Sequence, residues 1–432
     1  MVLVRVALAL ALLAGCKQSL FDSHGDDTAN GDATNGGDGT VPTTCPATCL
    51  GDAAADFGTT KFGYFEDTRN RMWTPMTQQG TGMYVGADPK NAVAKCPKSG
   101  ASACDALPGA LLVSSSGATA AADPAIAFKT STKQVVQLSV RIHVPSGASV
   151  QQVRLYRNSR EDVLYTGVAM PGVTFEQAVT VDALPDDRYF VALAPTGPGA
   201  ADVGVHFFVS DTGMQFPASC QSALTFTAAA GNTVENACGS SYTSRDYNNG
   251  TPLDVAPTLG SGPFPEIGMA ADIVLGHYYA GNDILVKADD TTTQLWVRHD
   301  AFDPSYAAWA WSDLDLNAGG GLEIAIFDSS GVPMMEIATC TDPNSNPLGI
   351  AFVDAPWPND HAWHFVRVVH TMGQARLCID GKRMASLAAA QGTLKSTYAP
   401  RIGRNVVWTP AGAFFDGGID DVRVFSGALP CE

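Results

Sequence analysis

The 432-residue chain has little charge, since only 16% of its residues are charged and 26 basic residues stand against 43 acidic ones. A net charge of −17 argues against nucleic-acid binding, because that binding depends on Lys and Arg neutralising phosphates. No apolar run reaches the ~20 residues that a membrane-spanning helix needs. The catalytic motifs Glu-x-Asp-x-Glu, Gly-x-Ser-x-Gly and His-Glu-x-x-His are absent as well. We therefore predict a protein that is not an enzyme and has no nucleic-acid partner.

Turn-forming residues are abundant, with 43 glycines and 26 prolines, and 45% of the chain is hydrophobic. This composition favours an all-β protein over a helical bundle. Short alternating strands separated by turns run from about Phe57 to Asp211: Gln137–Val144 alternates apolar and polar residues, a turn follows, and Val150–Tyr156 resumes the pattern. The spacing predicts an N-terminal β-sandwich of the jelly-roll type over residues 51–218.

The N-terminus carries a short apolar segment, Val2–Ala14, with Arg5 near its start. Its length predicts a signal peptide over residues 1–15 rather than a membrane span. The sequence Leu13-Ala14-Gly15-Cys16 resembles the lipobox of bacterial lipoproteins, which implies lipidation of Cys16 and a place in the cell envelope. An ordinary secretory signal with a chance cysteine is the alternative. Residues 16–50, rich in Asp, Gly, Asn and Thr, are predicted to be a flexible acidic tether.

Nine cysteines remain after Cys16, and an exported protein is expected to pair them as disulfides. The simplest set by spacing is Cys45–Cys49, Cys96–Cys104, Cys220–Cys238 and Cys340–Cys378. Cys431 is left over, and it could instead join Cys220 or Cys238. No Cys-x-x-Cys pair is present, so a structural zinc site is not expected.

The C-terminal half contains several motifs in a fixed order. They are a Trp-containing strand at Thr293–Arg298, a strand opened by Trp363-His364, the turn Asp380-Gly381, the segment Pro400–Gly403 and a final strand with Ile419-Asp420-Asp421-Val422. Asp-Gly between alternating runs is the strongest short hairpin signal. The ordered set resembles the laminin G-like jelly roll of the concanavalin A-like superfamily. The resemblance implies two curved antiparallel sheets over residues 219–432.

The C-terminal half also contains candidate residues for binding a ligand or an ion. Trp309 and Trp311 are two residues apart, so on a regular strand both would project from one face and could stack on a sugar or a partner protein. Asn282 is expected beside them. The alternative is that both tryptophans are core residues. By resemblance, Asp283 and Asp420 would hold a structural calcium ion, although Asp420 could instead only bind backbone at a strand entrance, and a calcium site needs more oxygens than these two acids offer.

The sequence therefore predicts a lipid-anchored cell-surface protein whose laminin G-like domain binds glycan or protein without catalysis. Two other functions stay open. One is a polysaccharide hydrolase on the same scaffold, although the strand Gly321–Ile326 carries only one acid, Glu323. The other is a structural or assembly lipoprotein that packs against envelope partners.

Overall fold

A computed structural model describes most of the chain after residue 40. The described residues are 41, 43–68, 73–97, 100–117, 122–198, 200–227, 229–248, 251–264, 268–274, 276–285, 290–301, 307–314, 320–340, 350–371, 374–388, 394, 396, 398–406 and 414–431. They divide between Ala218 and Ser219 into two compact units. The predicted signal peptide, Cys16 and most of the predicted tether lie outside the described residues. Within the described part, no helix is long and apolar enough to cross a membrane.

The N-terminal unit contains one short helix and otherwise strands, as far as it is described. These elements are β1 (Cys49–Asp52), β2 (Phe62–Asp67), β3 (Trp73–Pro75), β4 (Thr77–Gln79), β5 (Met83–Val85), β6 (Ala92–Lys95), α1 (Ser102–Ala106), β7 (Leu111–Ser115), β8 (Asp123–Lys129), β9 (Gln134–His143), β10 (Gln151–Arg157), β11 (Val163–Ala169), β12 (Thr174–Ala183), β13 (Arg188–Pro195) and β14 (Ala201–Asp211). The predicted tether therefore ends earlier than expected, because β1 pairs with β14 and includes residues 49 and 50.

Two antiparallel sheets form this unit. Sheet I has the strand order β12-β9-β14-β7-β6-β5-β4, with β1 beside β14, and sheet II has the order β11-β10-β13-β8-β2-β3. Alternation produces the core: in β9, Val136, Leu138, Val140 and Ile142 are all fully buried, since successive side chains point to opposite faces of a sheet. The predicted all-β fold is confirmed.

The C-terminal unit is described as strands only. They are β15 (Cys220–Leu224), β16 (Ala229–Ala230), β17 (Thr233–Val234), β18 (Tyr242–Asn248), β19 (Thr251–Asp254), β20 (Leu259–Ser261), β21 (Met269–Ile273), β22 (His277–Ala280), β23 (Thr291–His299), β24 (Ala308–Ser312), β25 (Gly321–Asp328), β26 (Pro333–Cys340), β27 (Ile350–Pro356), β28 (His364–Thr371), β29 (Gln374–Ile379), β30 (Lys382–Ala388), β31 (Arg401–Ile402) and β32 (Gly417–Ser426).

These strands form a second pair of antiparallel sheets. Sheet III has the order β20-β21-β32-β23-β28-β29-β30, with β15 beside β32. Sheet IV has the order β16-β17-β18-β22-β31-β24-β25-β26-β27, with β19 beside β18. One apolar core joins them, with Leu295 and Val366 from sheet III and Ile324 and Ile337 from sheet IV. Each sheet therefore has one face in this core and one face turned away from it.

The predicted Asp-Gly hairpin is present between β29 and β30. Asp380 has φ 53° and Gly381 has φ 76°, the positive values that a type I′ turn requires at both central residues. The Asp380 carboxylate also accepts a hydrogen bond from the backbone N–H of Phe365 at 3.0 Å and contacts His364 Nδ1 at 2.7 Å. The turn sequence thus also ties the hairpin to β28.

Three of the four predicted disulfides form: Cys45–Cys49, Cys96–Cys104 and Cys220–Cys238. The predicted Cys340–Cys378 pair is wrong, because Cys378 is bonded to Cys431. The reason is topological. Cys340 ends β26 in sheet IV and packs with Leu314 and Ala338, whereas Cys378 lies in sheet III, one residue from the core-facing Leu377, and so points away from the core. Cys340 is buried and is not one of the eight bridged cysteines.

Candidate functional site

The candidate site is the face of sheet IV that points away from the core. In β25, Leu322 and Ile324 belong to the core, so the intervening Glu323 and Ala325 lie on the opposite face. We call this surface the outer face of sheet IV and define it by Arg245, Tyr247, Tyr278, Arg401, Trp309, Ser312, Glu323, Ala325, Glu336, Phe352 and Asp354.

Strand register places part of this set in one row. Trp309 pairs with Ala325, Ala325 with Glu336, and Glu336 with Asp354. At the other end, Arg245 in β18 pairs with Tyr278 in β22. The next residue of β22, Tyr279, pairs with Ile402, and Ile402 in turn pairs with Trp311. From β18 to β27 the row crosses six strand spacings, or about 29 Å at ~4.8 Å each. A single sheet face therefore carries a line of polar and aromatic side chains. Its middle members Tyr278, Trp309 and Ala325 are buried. Arg245 and Glu336 are partly exposed and Asp354 is exposed.

The two predicted tryptophans do not share a face. Trp309 pairs with Ala325 but Trp311 pairs with the adjacent Ile324, so the register shifts at Ala310. This is a β-bulge, in which the extra residue reverses the alternation on one strand. Trp311 is fully buried in the core, whereas Trp309 lies on the outer face and is 7% exposed. The prediction of a paired tryptophan platform is wrong for this reason.

Trp309 instead helps to hold a buried carboxyl group. Its indole N–H donates to Glu323 Oε2 at 3.4 Å, and the Ser312 hydroxyl donates to Oε1 at 3.2 Å. The Asn405 amide donates to the same Oε1. Burial raises the pKa of Glu323 to about 7, although the three donors oppose that rise. Glu323 is therefore a titratable group near neutral pH in a fixed orientation.

The next strands add two more carboxyl groups. Glu336 in β26 and Asp354 in β27 are directly paired across the two strands, and their carboxyl groups interact. Burial, together with the charges of Asp354 and Glu323, raises the pKa of Glu336 to about 8. With that pKa, Glu336 holds its proton at neutral pH, beside the Asp354 carboxyl group. Exposure increases along the series, since Glu323 is buried, Glu336 is half-buried and Asp354 is exposed.

The other end of the outer face is basic and aromatic. The Arg404 guanidinium lies over the ring of Tyr247, with Cζ 4.0 Å from the ring centroid, and is 5.1 Å from that of Tyr278. Arg401 approaches the same Tyr278 ring at 5.9 Å. Burial lowers the pKa of Arg401, and the charges of Arg404 and Arg245 lower it further. The outer face thus has an acidic end and a basic end.

Asn282 and Asp283 lie at a different level of the sheet. Asn282 is exposed and donates to Ser241 O at 2.7 Å. Asn282 lies two residues beyond Ala280, and Ala280 and Ser312 both pair with Arg401. Trp309 lies in the opposite direction along the strands from this row of paired residues. Four residues along a strand correspond to about 13 Å. Asn282 and Trp309 therefore do not converge on one ligand contact.

The two predicted calcium ligands have different surroundings. Asp283 is exposed, and its Oδ2 accepts from the backbone N–H of Ser240 at 3.0 Å, which lowers its pKa together with the Ser240 hydroxyl. Asp420 is fully buried in β32 opposite Trp296, and burial raises its pKa well above the usual value. Within the described ranges, no group of three or more His, Cys, Asp or Glu side chains is arranged to hold a metal ion. The calcium site stays a prediction.

Residues 276–432 match the family model Laminin_G_3, described as belonging to the Concanavalin A-like lectin/glucanases superfamily. Over these residues the C-terminal unit contains a laminin G-like domain of the concanavalin A-like superfamily. The resemblance in its ordered motifs is thereby confirmed. No curated protein matches the sequence.

Several solved structures are similar to the chain. Domain 4 of AbnA, a GH43 extracellular arabinanase from Geobacillus stearothermophilus solved in complex with arabinotriose, has a TM-score of 0.35 at 18% identity, covering 49% of this chain and 94% of that one. The CBM22-1-CBM22-2 tandem domain of Paenibacillus barcinonensis Xyn10C has a TM-score of 0.25 at 12% identity, covering 88% and 97%. Domains LG4-5 of the mouse laminin alpha1 chain have a TM-score of 0.24 at 11% identity, covering 68% and 83%. With TM-scores of at most 0.35, these similarities carry no inference about the ligand.

Sequence reasoning found Trp309 but missed most of the site around it. Glu323 stands out as the one acid in an apolar strand, and this isolated charge was the available signal. The sequence gives no indication that Glu336 lies near Glu323, because their proximity depends on the register between β25 and β26. Arg401 and Arg404 gave no sequence signal, since their significance depends on burial beside Tyr278.

Proposed function

We propose that the laminin G-like domain binds carbohydrate on the outer face of sheet IV. The observation that carries this proposal is the row of polar and aromatic side chains from Arg245 to Asp354. Binding sites of this kind combine apolar surface with a few fixed polar groups. Tyr247 and Phe352 supply partly exposed rings, and the carboxyl groups of Glu336 and Asp354 supply donors and acceptors for hydroxyl groups.

The outer face can be tested separately from the rest of the chain. A glycan array with the purified protein should give a set of bound oligosaccharides, and isothermal titration should then give their affinity. Tyr247→Ala and Asp354→Asn should each weaken binding by roughly tenfold, the effect of losing about 1.4 kcal/mol. The controls are Tyr165→Ala in the N-terminal unit and Asp328→Asn at the end of β25, which alter partly exposed residues outside the defined face. Equal effects of the controls would contradict the assignment.

A second function, glycoside hydrolysis on the same face, is favoured by Glu323 and Glu336. They occupy diagonal positions on adjacent strands, and such pairs lie about 7–8 Å apart with their Cβ atoms somewhat closer. Hydrolysis needs two carboxyl groups in different protonation states at about 5–9.5 Å. Release of reducing ends from bound glycans, abolished in both Glu323→Gln and Glu336→Gln, would establish an enzyme. Binding without release would support the non-catalytic function that we favour.

We also propose that Cys16 carries a lipid that anchors the protein in the cell envelope. The proposal rests on the short apolar segment and Leu13-Ala14-Gly15-Cys16, and the four disulfides suit an exported protein. Metabolic labelling with a fatty acid should mark the wild-type protein and not Cys16→Ser. Labelling that persists in Cys16→Ser would refute it.

A further inference from the structure

The basic end of the outer face contains positive charge without a matching negative charge. Arg404 is only 3% exposed, and its Nε atom has no hydrogen-bond partner in the described structure. Arg401 donates one hydrogen bond, to Asn405 O at 3.3 Å. No carboxylate of the described residues forms an ion pair with either guanidinium, whereas the neighbouring Arg245 pairs with Asp254 at 3.0 Å.

Such an arrangement is unfavourable for the empty protein. A buried charge is costly unless it is paired and hydrogen-bonded. The rings of Tyr247 and Tyr278 offset part of this cost, because a cation over an aromatic face gains about 0.5–2 kcal/mol. They do not relieve the repulsion between the guanidinium groups of Arg401 and Arg404, which converge on the Tyr278 ring within 5.9 Å and 5.1 Å. A bound anion would relieve it.

We infer that the carbohydrate bound by this face carries an anionic group, the carboxylate of a uronic acid or a sulfate ester, held by Arg401 and Arg245 with Arg404 behind them. The inference rests on the proposed carbohydrate binding and specifies its ligand. Arg245 and Arg401 are partly exposed and can reach an incoming group, and the planar guanidinium fork suits both anions. Tyr247 lies two residues from Arg245 in β18, and the part of its ring that Arg404 does not cover is available to the sugar.

The charge of the remaining chain limits what kind of acidic glycan fits. The protein has a net charge of −17, so its overall field repels a polyanion. The opposite end of the row holds Asp354, whose exposed carboxylate would repel a second anionic group there. We therefore expect one acidic sugar within an otherwise neutral glycan, with the acidic sugar at the Tyr278 end and neutral sugars toward Glu336.

The test compares matched oligosaccharides that differ in one group. The purified protein is titrated with a neutral oligosaccharide found on the array, its uronic acid counterpart and its sulfated counterpart. The acidic forms should bind at least tenfold more tightly, and that preference should decline as salt is raised. Arg401→Gln and Arg245→Gln should each reduce the ratio of acidic to neutral affinity to threefold or less. Arg383→Gln, an exposed arginine in the β29–β30 hairpin, is the charge-matched control and should change nothing.

The outcomes separate this inference from the proposed function. Preference for the uronic acid form identifies a carboxylate as the natural group, and preference for the sulfated form identifies a sulfate ester. Equal binding of neutral and acidic forms, sensitive to Tyr247→Ala, would overturn the anionic group while leaving carbohydrate binding intact. Absence of any glycan binding would overturn both. Arg404→Lys, which keeps the charge but loses the planar fork, should fold and retain part of the preference.

Discussion

Glu323 gives the most direct quantitative test of the outer face. Its pKa rises from 4.5 to about 7 in the folded protein, and one pKa unit corresponds to about 1.4 kcal/mol. The folded state therefore holds the Glu323 proton more tightly than the unfolded state does. The stability that this proton confers is complete below pH 4.5 and is lost as the pH rises to about 7. The total loss is about 3 kcal/mol.

Glu323→Gln should remove this loss, because glutamine does not titrate and imitates the protonated acid. We expect the variant and wild type to unfold alike near pH 4.5 and the variant to be more stable by up to about 3 kcal/mol at pH 8. For a domain of this size that corresponds to roughly 6–12 °C in Tm, at ~2–4 °C per kcal/mol. Tryptophan fluorescence reports on the right unit, since six of the 7 tryptophans follow Ser219.

The control is Glu235→Gln, which alters an exposed acid of the same unit. Its curve should run parallel to wild type from pH 4 to pH 8. If the stability of Glu323→Gln also changes with pH in parallel with wild type, then Glu323 is not the buried, proton-holding group that the structure describes. The acidic end of the outer face would then be misassigned. A variant that is less stable at every pH would show that the three hydrogen-bond donors need a charged partner.

Three further predictions concern the core, the disulfide and the hairpin of the C-terminal unit. Trp311→Ala should destabilise the unit by about 3–5 kcal/mol in urea unfolding, because it empties a fully buried site, and a cost below 1 kcal/mol would contradict the bulge assignment. Cys378→Ser and Cys431→Ser should each lower the free energy of unfolding by about 4 kcal/mol, because each opens a loop closed over a separation of 53 residues. The double variant should lose no more stability than either single variant. Additive losses would rule out this bridge. Asp380→Asn should keep the type I′ turn but weaken the unit below pH 6.5. Burial lowers the His364 pKa, but the hydrogen bonds and charges of Asp380 and Asp360 outweigh burial and raise that pKa above 6.5. The stability from the His364–Asp380 pair is therefore present at low pH and is lost as the pH rises through the folded pKa. Unfolding curves of Asp380→Asn and wild type that differ equally at pH 5 and pH 9 would refute that linkage.

The sequence alone determined the local features of the fold. The alternation in β9, the turn at Asp380-Gly381 and the ordered motifs around Trp363 and Ile419 each depend on neighbouring residues, and such short-range patterns can be read directly. Three disulfides of short sequence separation were predictable for the same reason, because nearby cysteines close small loops at little cost.

Only the tertiary structure decided which distant residues meet. The Cys378–Cys431 bridge depends on which sheet each strand joins, and the predicted partner Cys340 lies in the other one. One extra residue at Ala310 sends Trp309 and Trp311 to opposite faces, and a bulge leaves no clear mark in a strand of five residues. The outer face itself collects side chains from strands far apart in the chain. Its chemistry depends on register and burial, which are fixed by how both sheets pack rather than by any single segment.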